Sequence, residues 1–304
     1  MHIRCWGSRG SIPVSGREYL KYGGDTTCIS ITAKSGDIVI IDAGTGIRRL
    51  GIHPDYDDIN VYNLVFTHFH WDHVMGFNFF RPILKKNKTI KIQNSCFSSF
   101  FVKDILEDLM RKPFFPVTMG DLNAKIKFIE NHGNKFSIGS LDIETIPLSH
   151  PGEGSGYKFT ENGKSFVFLT DNELGYDHLK NNESDKKVKG DTVQVKTDQK
   201  NTALKNTGFN AYLKFSKNAD LLFHDGEFTP DEYPLKTGWG HSVYTKALDL
   251  AIKANVKRLG IFHINQERKD QEMDEIIDKC MDIIEQNHSH LDCFGVTCNM
   301  EFNL

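Results

Sequence analysis

Residues 67 to 73 read Thr-His-Phe-His-Trp-Asp-His, directly after the apolar run Val61-Tyr62-Asn63-Leu64-Val65-Phe66. That order fits the end of a buried strand turning into a loop. Side chains that alternate along a strand and then fan out across a turn can surround more than one metal ion. Three imidazoles and a carboxylate so close together are costly to bury unpaired, so the heptapeptide predicts a metal site. Two metals need more ligands than it supplies. The fold must therefore bring others to the same edge.

The rest of the chain offers strands that could do so. Short apolar runs bounded by turn residues predict strands at Ile3–Trp6, Cys28–Ala33, Ile38–Asp42, Val61–Thr67, Ile90–Gln93, Ile126–Glu130 and Leu141–Leu148. Apolar residues at three- and four-residue spacing predict a helix over Phe97–Lys112, ended by Pro113. The second half repeats the theme. Tyr157–Thr160 and Ser165–Thr170 flank the hairpin turn Glu161-Asn162-Gly163-Lys164, and Leu221–His224 and Arg258–His263 are further strands. Ser242–Ala254 reads as a helix with Ser242 as N-cap, Met273–Gln286 as an amphipathic helix, and Cys293–Phe302 as a last strand. Two batches of strands, each followed by helices, predict two sheets packed face to face with helices outside, a four-layer α/β (αββα) sandwich. No Gly-x-Gly-x-x-Gly follows the first strand; Gly7-Ser8-Arg9-Gly10-Ser11 and Gly44-Thr45-Gly46 read as tight turns at strand ends.

With 304 residues and 39% hydrophobic content, residues 1–304 can form a single domain with a full core. Lys180–Gly208 (about 180–208) stands apart as a polar insertion with few large apolar residues, read as a solvated segment or a lysine-bearing lid, with one short strand at Thr192–Thr197. A net charge of -3 gives no basic excess for a nucleic-acid or membrane partner. No apolar leader or membrane-length segment is present, and the expectation is a cytoplasmic protein. The six cysteines form no Cys-x-x-Cys pair and are expected to be buried thiols without a catalytic role.

Three predicted strands end in ligand-type residues. His150 follows Leu141–Leu148, Asp171 closes Phe166–Thr170, and His263 lies at the end of Leu259–Phe262. The pattern His-x-His-x-Asp-His, then a lone His, a lone Asp and a last His, resembles that of the metallo-β-lactamase superfamily over nearly the whole chain. Ile40-Ile41-Asp42-Ala43-Gly44 is similar to the superfamily's early Asp motif, whose Asp supports the site from behind the ligands. By that resemblance His68, His70 and His150 hold one metal, Asp72, His73 and His263 the other, and Asp171 bridges both. The implied cofactor is two divalent metal ions, Zn²⁺ first among Zn²⁺, Mn²⁺ and Fe²⁺; ligand type alone does not choose among them.

The spacing from His150 to Asp171, the segment His150–Tyr157, and Gly240-His241-Ser242 resemble the tRNase Z-related phosphodiesterases. Arg4–Pro13 and Tyr22–Cys28 are similar to a bacterial and phage group within that branch that includes cyclic-nucleotide phosphodiesterases of the anti-Pycsar type. Asp25 departs from it, standing where that group has Asn. The resemblance implies a phosphodiesterase that opens small cyclic phosphodiesters, cyclic mononucleotides above all, to linear monophosphates. Two ions about 3.5–4 Å apart would share a hydroxide, because metal binding lowers the pKa of water to about 7. His241 would protonate the leaving oxygen, steadied by Glu227 or Asp225, with Asp72 a catalytic as well as a ligating residue; His224 is structural. The implied partner is a small-molecule phosphodiester rather than nucleic acid or membrane, and pairing in homologues implies a homodimer. The alternatives are a tRNA 3′-end-processing endoribonuclease and a non-hydrolytic di-iron oxygen or redox protein. The latter branch places Glu where this chain has His70.

Overall fold

The computed structural model describes residues 1–94, 97, 101–130, 133–176 and 208–304. Most of the 180–208 insertion, including Thr192–Thr197, therefore lies outside the described residues, as do Cys96 and residues 98–100 of the predicted first helix.

Fourteen strands form two seven-stranded sheets among the described residues. The first sheet holds β1 (His2–Gly7), β2 (Cys28–Thr32), β3 (Ile38–Ile41), β4 (Val61–Val65), β5 (Thr89–Gln93), β6 (Lys125–Ile129) and β14 (Glu301–Asn303), in the order β14-β1-β2-β3-β4-β5-β6. The second holds β7 (Lys135–Ile138), β8 (Leu141–Pro147), β9 (Ser155–Glu161), β10 (Lys164–Leu169), β11 (Leu221–Asp225), β12 (Arg258–Phe262) and β13 (Asp292–Gly295), in the order β7-β8-β9-β10-β11-β12-β13. Helices α1 (Gly46–Leu50), α2 (Trp71–Val74) and α3 (Val102–Leu109) belong to the first half; α4 (Phe209–Ser216), α5 (Tyr244–Lys253) and α6 (Asp270–Gln286) belong to the second.

Four layers need three apolar interfaces, and the buried side chains fall into three clusters. One unites Ile38, Ile40, Leu64, Ile90 and Leu106 between the first sheet and its helices. A second unites Val39, Ile41, Phe166, Phe168, Phe223 and Phe262 between the sheets, and a third unites Val167, Leu169, Leu222, Leu248 and Ile276 under α5 and α6. Ile38-Val39-Ile40-Ile41 and Phe166-Val167-Phe168-Leu169 are continuously apolar because alternate residues serve opposite interfaces. The αββα expectation holds. No described helix is long and apolar enough to cross a membrane.

Several local expectations need correction. The division between sheets falls between Ile129 and Lys135, and the edge strand β7 and helix α4 escaped the pattern because both are short. The predicted last strand Cys293–Phe302 is two strands: β13 pairs with β12, and β14 crosses back to β1. Ser242 is not the N-cap of α5; Val243 is, and the Ser242 hydroxyl donates instead to the Asn172 carbonyl at 2.6 Å. The first helix ends at Leu109, short of Lys112 and Pro113, and the last begins at Asp270, a turn before Met273. The hairpin is as read: Glu161 pairs with Lys164, and Asn162 and Gly163 take φ of 50° and 74°, as a tight primed turn requires.

Candidate metal centre and active site

The ligand-type residues converge where strands of both sheets end, as open α/β sheets place their sites beyond the carboxyl ends of parallel strands. β4 stops at Val65, and α2 follows within the heptapeptide, carrying Asp72 and His73. His150 lies beyond β8, Asp171 beyond β10 and His263 beyond β12. The Tyr157 hydroxyl on β9 donates to the Phe66 carbonyl at 2.7 Å, fastening the two sheets at this edge.

Two groups of metal-competent atoms result, each within 4.8 Å. One is His68, His70, His150 and Asp171; the other is Asp72, His73, Asp171 and His263. All are buried except His70. Asp171 is common to both, and its Oδ2 lies 3.5 Å from His68 Nε2, 3.4 Å from His73 Nε2 and 3.3 Å from His263 Nε2. Asp72 Oδ2 is 3.2 Å from His73 Nε2 and 3.0 Å from His263 Nε2. Asp171 and His263 hold left-handed φ values of 54° and 52°, uncommon for such residues and seen where surroundings fix a strained backbone.

A third group joins Glu227, His241 and His263. Glu227 Oε2 accepts from His263 Nδ1 at 3.0 Å and lies 3.3 Å from His241 Nδ1. Glu227 therefore holds His263 by a hydrogen bond and is the nearer carboxylate to His241, with Asp225 the more distant at 3.8 Å. Asp225 accepts instead from the amides of Asn172 at 2.9 Å and Ser242 at 2.6 Å. His224 is structural as expected: its Nδ1 donates to the Asp225 carbonyl at 2.8 Å, and burial pushes its pKa down to about 4.

Asp42 stands behind His73. Its carboxylate accepts from His73 Nδ1 at 2.8 Å and from the Thr67 amide and hydroxyl, each at 2.7 Å. The bond directs His73 Nε2 into the cluster, the usual way a carboxylate orients a metal-binding imidazole. His150 is set similarly, its Nδ1–H donating to the Gly240 carbonyl at 3.0 Å.

Electrostatics divide the imidazoles. Burial, reinforced by neighbouring histidines, lowers the pKa of His68 and His70 and takes His150 down to about 3, so these rings are neutral and offer lone pairs. Burial also opposes charge on His73 and His263, but Asp72, Asp171, Asp42 and Glu227 outweigh it and raise both. Burial raises Asp72 and Asp171, yet the imidazoles around them win and hold both well below the usual carboxylate range. Two buried carboxylates thus require positive charge. The Nε2 atoms of His68 and His73 are buried without a hydrogen-bond partner. Leaving such groups unsatisfied costs about 1–3 kcal/mol each, and divalent cations would satisfy acids and imidazoles together. The residues fit the expected metals.

The turn after β1 does more than its sequence suggested. The Ser11 amide donates to Asp72 Oδ2 at 2.9 Å. At Gly10 a Cβ would lie 2.3 Å from the His263 ring, so no side chain fits. The buried Arg9 guanidinium anchors the turn on the carbonyls of Gly23, Asn265 and Arg268 at 2.9–3.2 Å. Asp25 bonds Thr45 at 3.0 Å and Arg49 at 3.4 Å rather than any cluster residue.

An αββα sandwich with this cluster at its strand ends has the make-up of a metal-dependent hydrolase. Residues 38–185 match the family model described as the Beta-lactamase superfamily domain. Ribonuclease Z of Oceanobacillus iheyensis is 24% identical over 275 residues, covering 84% of this chain and 88% of the relative. The fold is shared with the metallo-beta-lactamase fold protein YhfI from Bacillus subtilis (TM-score 0.64, 13% identity, 99% and 98% coverage). It is also shared with yeast PDE1 (TM-score 0.59, 13% identity, 97% of each chain). The sequence similarity to ribonuclease Z runs over most of the chain, in line with the resemblance to the tRNase Z-related branch.

Proposed function

We propose that this protein is a phosphodiesterase that uses two divalent cations to hydrolyse small cyclic phosphodiesters, above all cyclic mononucleotides, to linear monophosphates. The observation that carries the reading is the pair of candidate ligand groups sharing Asp171, with His241 Nδ1 3.3 Å from Glu227 beside them. His68, His70 and His150 would hold one cation, Asp72, His73 and His263 the other, and Asp171 both. Such a pair, when bound, supplies an acidified water and neutralises charge on phosphoryl oxygens.

Breaking the P–O bond leaves an alkoxide that needs a proton. With His241 Nδ1 turned to Glu227, Nε2 is the ring nitrogen left to deliver it. Trp71, 66% exposed, follows His70 in sequence, and Trp239, 58% exposed, comes two residues before His241. An exposed indole next to a site residue in sequence supports a substrate with a planar base, since stacking needs an accessible aromatic face, although Lys236 Nζ already lies 3.9 Å over the Trp239 ring.

Kinship with ribonuclease Z favours a second reading, endonucleolytic cleavage of RNA near its 3′ end. The net charge of -3 speaks against it, because RNA binding rests on basic surface. The test is product formation from cAMP, cGMP, cCMP and cUMP and from a tRNA precursor, with Zn²⁺- or Mn²⁺-loaded protein and a chelated control. Metal-dependent ring opening is expected. Cleavage of the RNA with every cyclic nucleotide intact would overturn the first reading in favour of the second.

A further inference from the structure

Glu173, two residues beyond Asp171, is a buried carboxylate with no part in either ligand group. Its Oε1 accepts from the Tyr233 hydroxyl at 2.7 Å and the Gly238 amide at 2.8 Å, and its Oε2 accepts from the Gly240 amide at 2.9 Å. Gly240 has little freedom. Its φ is 93°, a Cβ there would lie 2.0 Å from His150 Nδ1, and its carbonyl accepts from that nitrogen at 3.0 Å. On the other side of His241, the Ser242 amide donates to Asp225 at 2.6 Å. The residues flanking His241 are thus each pinned through their amides to a different buried carboxylate. Glu173 also fixes the stretch that precedes His150, its own amide donating to the Ser149 carbonyl at 2.8 Å.

We infer that Glu173 is a positioning residue for the leaving-group proton: by holding the Gly240 amide it sets His241 beside Glu227 and keeps the Gly240 carbonyl on His150. The inference rests on the phosphodiesterase reading above. Tyr233 and Gly238 can share one oxygen, but Gly240 needs the other. In Glu173→Gln the amide oxygen keeps Tyr233 and Gly238, while the NH₂ faces the Gly240 N–H, donor against donor. Because the Tyr233 hydroxyl can also accept, the isosteric change strands one amide of the Gly238–Gly240 stretch in either orientation of the Gln, and so loosens the backbone that leads into His241.

A proton donor matters for an alkoxide leaving group and hardly at all for 4-nitrophenolate. E173Q should lower kcat for a diester with a ribose leaving oxygen at least about tenfold, reaching into the 10²–10⁴ range of a lost general acid. Turnover of a 4-nitrophenyl diester should fall only as far as any weakening of cation binding through His150 takes it, and so much less than turnover of the ribose diester measured at the same cation content. Amide hydrogen exchange across Gly238–His241 should rise, a readout independent of activity. Tyr233→Phe, which leaves Gly240 held, should leave the ratio of the two rates unchanged. Equal losses on both diesters, unaltered exchange across Gly238–His241, or a Y233F ratio shifted as far as that of E173Q would overturn the assignment. Should E173Q fail to fold, Glu173→Asp, whose shorter side chain cannot hold all three donors while keeping its charge, must show the same selectivity. A parent enzyme inert toward both diesters with cations bound would instead sink the phosphodiesterase reading, and this role with it.

Discussion

Replacing Asp42 with Asn tests how the second ligand group is prepared. Asp42 is buried and accepts three hydrogen bonds: one from the Thr67 amide, one from the Thr67 hydroxyl and one from His73 Nδ1. Asn is nearly isosteric and keeps an oxygen for the Thr67 amide, but puts an NH₂ where Oδ2 stood. The Thr67 hydroxyl can rotate to accept. His73 Nδ1 can accept only if its proton moves to Nε2, the nitrogen 3.2 Å from Asp72 and 3.4 Å from Asp171. A protonated Nε2 cannot ligate, so binding at Asp72, His73 and His263 must first undo the new tautomer. Removing such a supporting contact weakens metal binding about 10–100-fold, or about 1.4–2.8 kcal/mol. The group of His68, His70 and His150 reaches Asp42 only through the Thr67 hydroxyl, 3.1 Å from His68 Nδ1, and should lose only a few-fold. Titration of metal-free protein with Zn²⁺ against a competing chelator should therefore show one step weakened and one nearly unchanged. Asp42→Ala should be worse for folding, since it strands buried donors at about 1–3 kcal/mol each. A D42N protein that binds both cations as tightly as the parent and turns over at full rate would refute the tautomer argument.

Asp171→Ala removes the one carboxylate shared by both groups, so hydrolysis and tight binding of a second cation should vanish together; two ions by elemental analysis with retained turnover would contradict the bridge. His241→Ala should lower kcat by about 10²–10⁴-fold with both cations in place, and a full-rate variant would show that another group protonates the leaving oxygen. His224 gives a pH prediction. Its pKa is about 4 in the fold against an ordinary 6.5, so the unfolded chain takes up the proton first as pH falls. Stability from this residue is complete above the unfolded value and is lost on acidification toward the folded one, at up to about 1.4 kcal/mol per pH unit. Urea unfolding from neutral pH to about pH 5 should show that slope, and His224→Gln should flatten it.

The candidate ligands that the structure brings together were legible because a metal site concentrates rare residue types at strand ends, and strand ends announce themselves. Val61–Phe66 running into Thr67–His73 needs only alternation and a turn to be read, and His150, Asp171 and His263 repeat the device. Glu173 and Ser11 were not legible. A lone Glu in Asp-Asn-Glu-Leu looks like any polar loop residue, and its meaning depends on amides more than sixty positions away at Gly238 and Gly240. Ser11 acts through its backbone, which no residue type reveals. Ser242 was read locally as a cap, but its hydroxyl bonds across chain to the Asn172 carbonyl. What failed was long-range hydrogen bonding by ordinary polar groups, where side-chain identity restricts partners least.

The two sheets explain why two carboxylates reach His73 from opposite sides. Read from β14, the first sheet has three antiparallel pairings and then three parallel ones; read from β7, the second has the same series. β3 and β10 are the fourth strands of these series. Each is followed by an Asp in the left-handed region, Asp42 directly after Ile41 with φ 60° and Asp171 two residues after Leu169 with φ 54°. The two halves therefore each place an aspartate just beyond the fourth strand, one residue on in the first sheet and two in the second. His73 lies between them, its Nδ1 2.8 Å from Asp42 and its Nε2 3.4 Å from Asp171. One aspartate can hold the imidazole only because the other lies where the imidazole points. A shift of either strand by one residue would turn its aspartate to the opposite face, so the register of both sheets is fixed by the site as much as by the core.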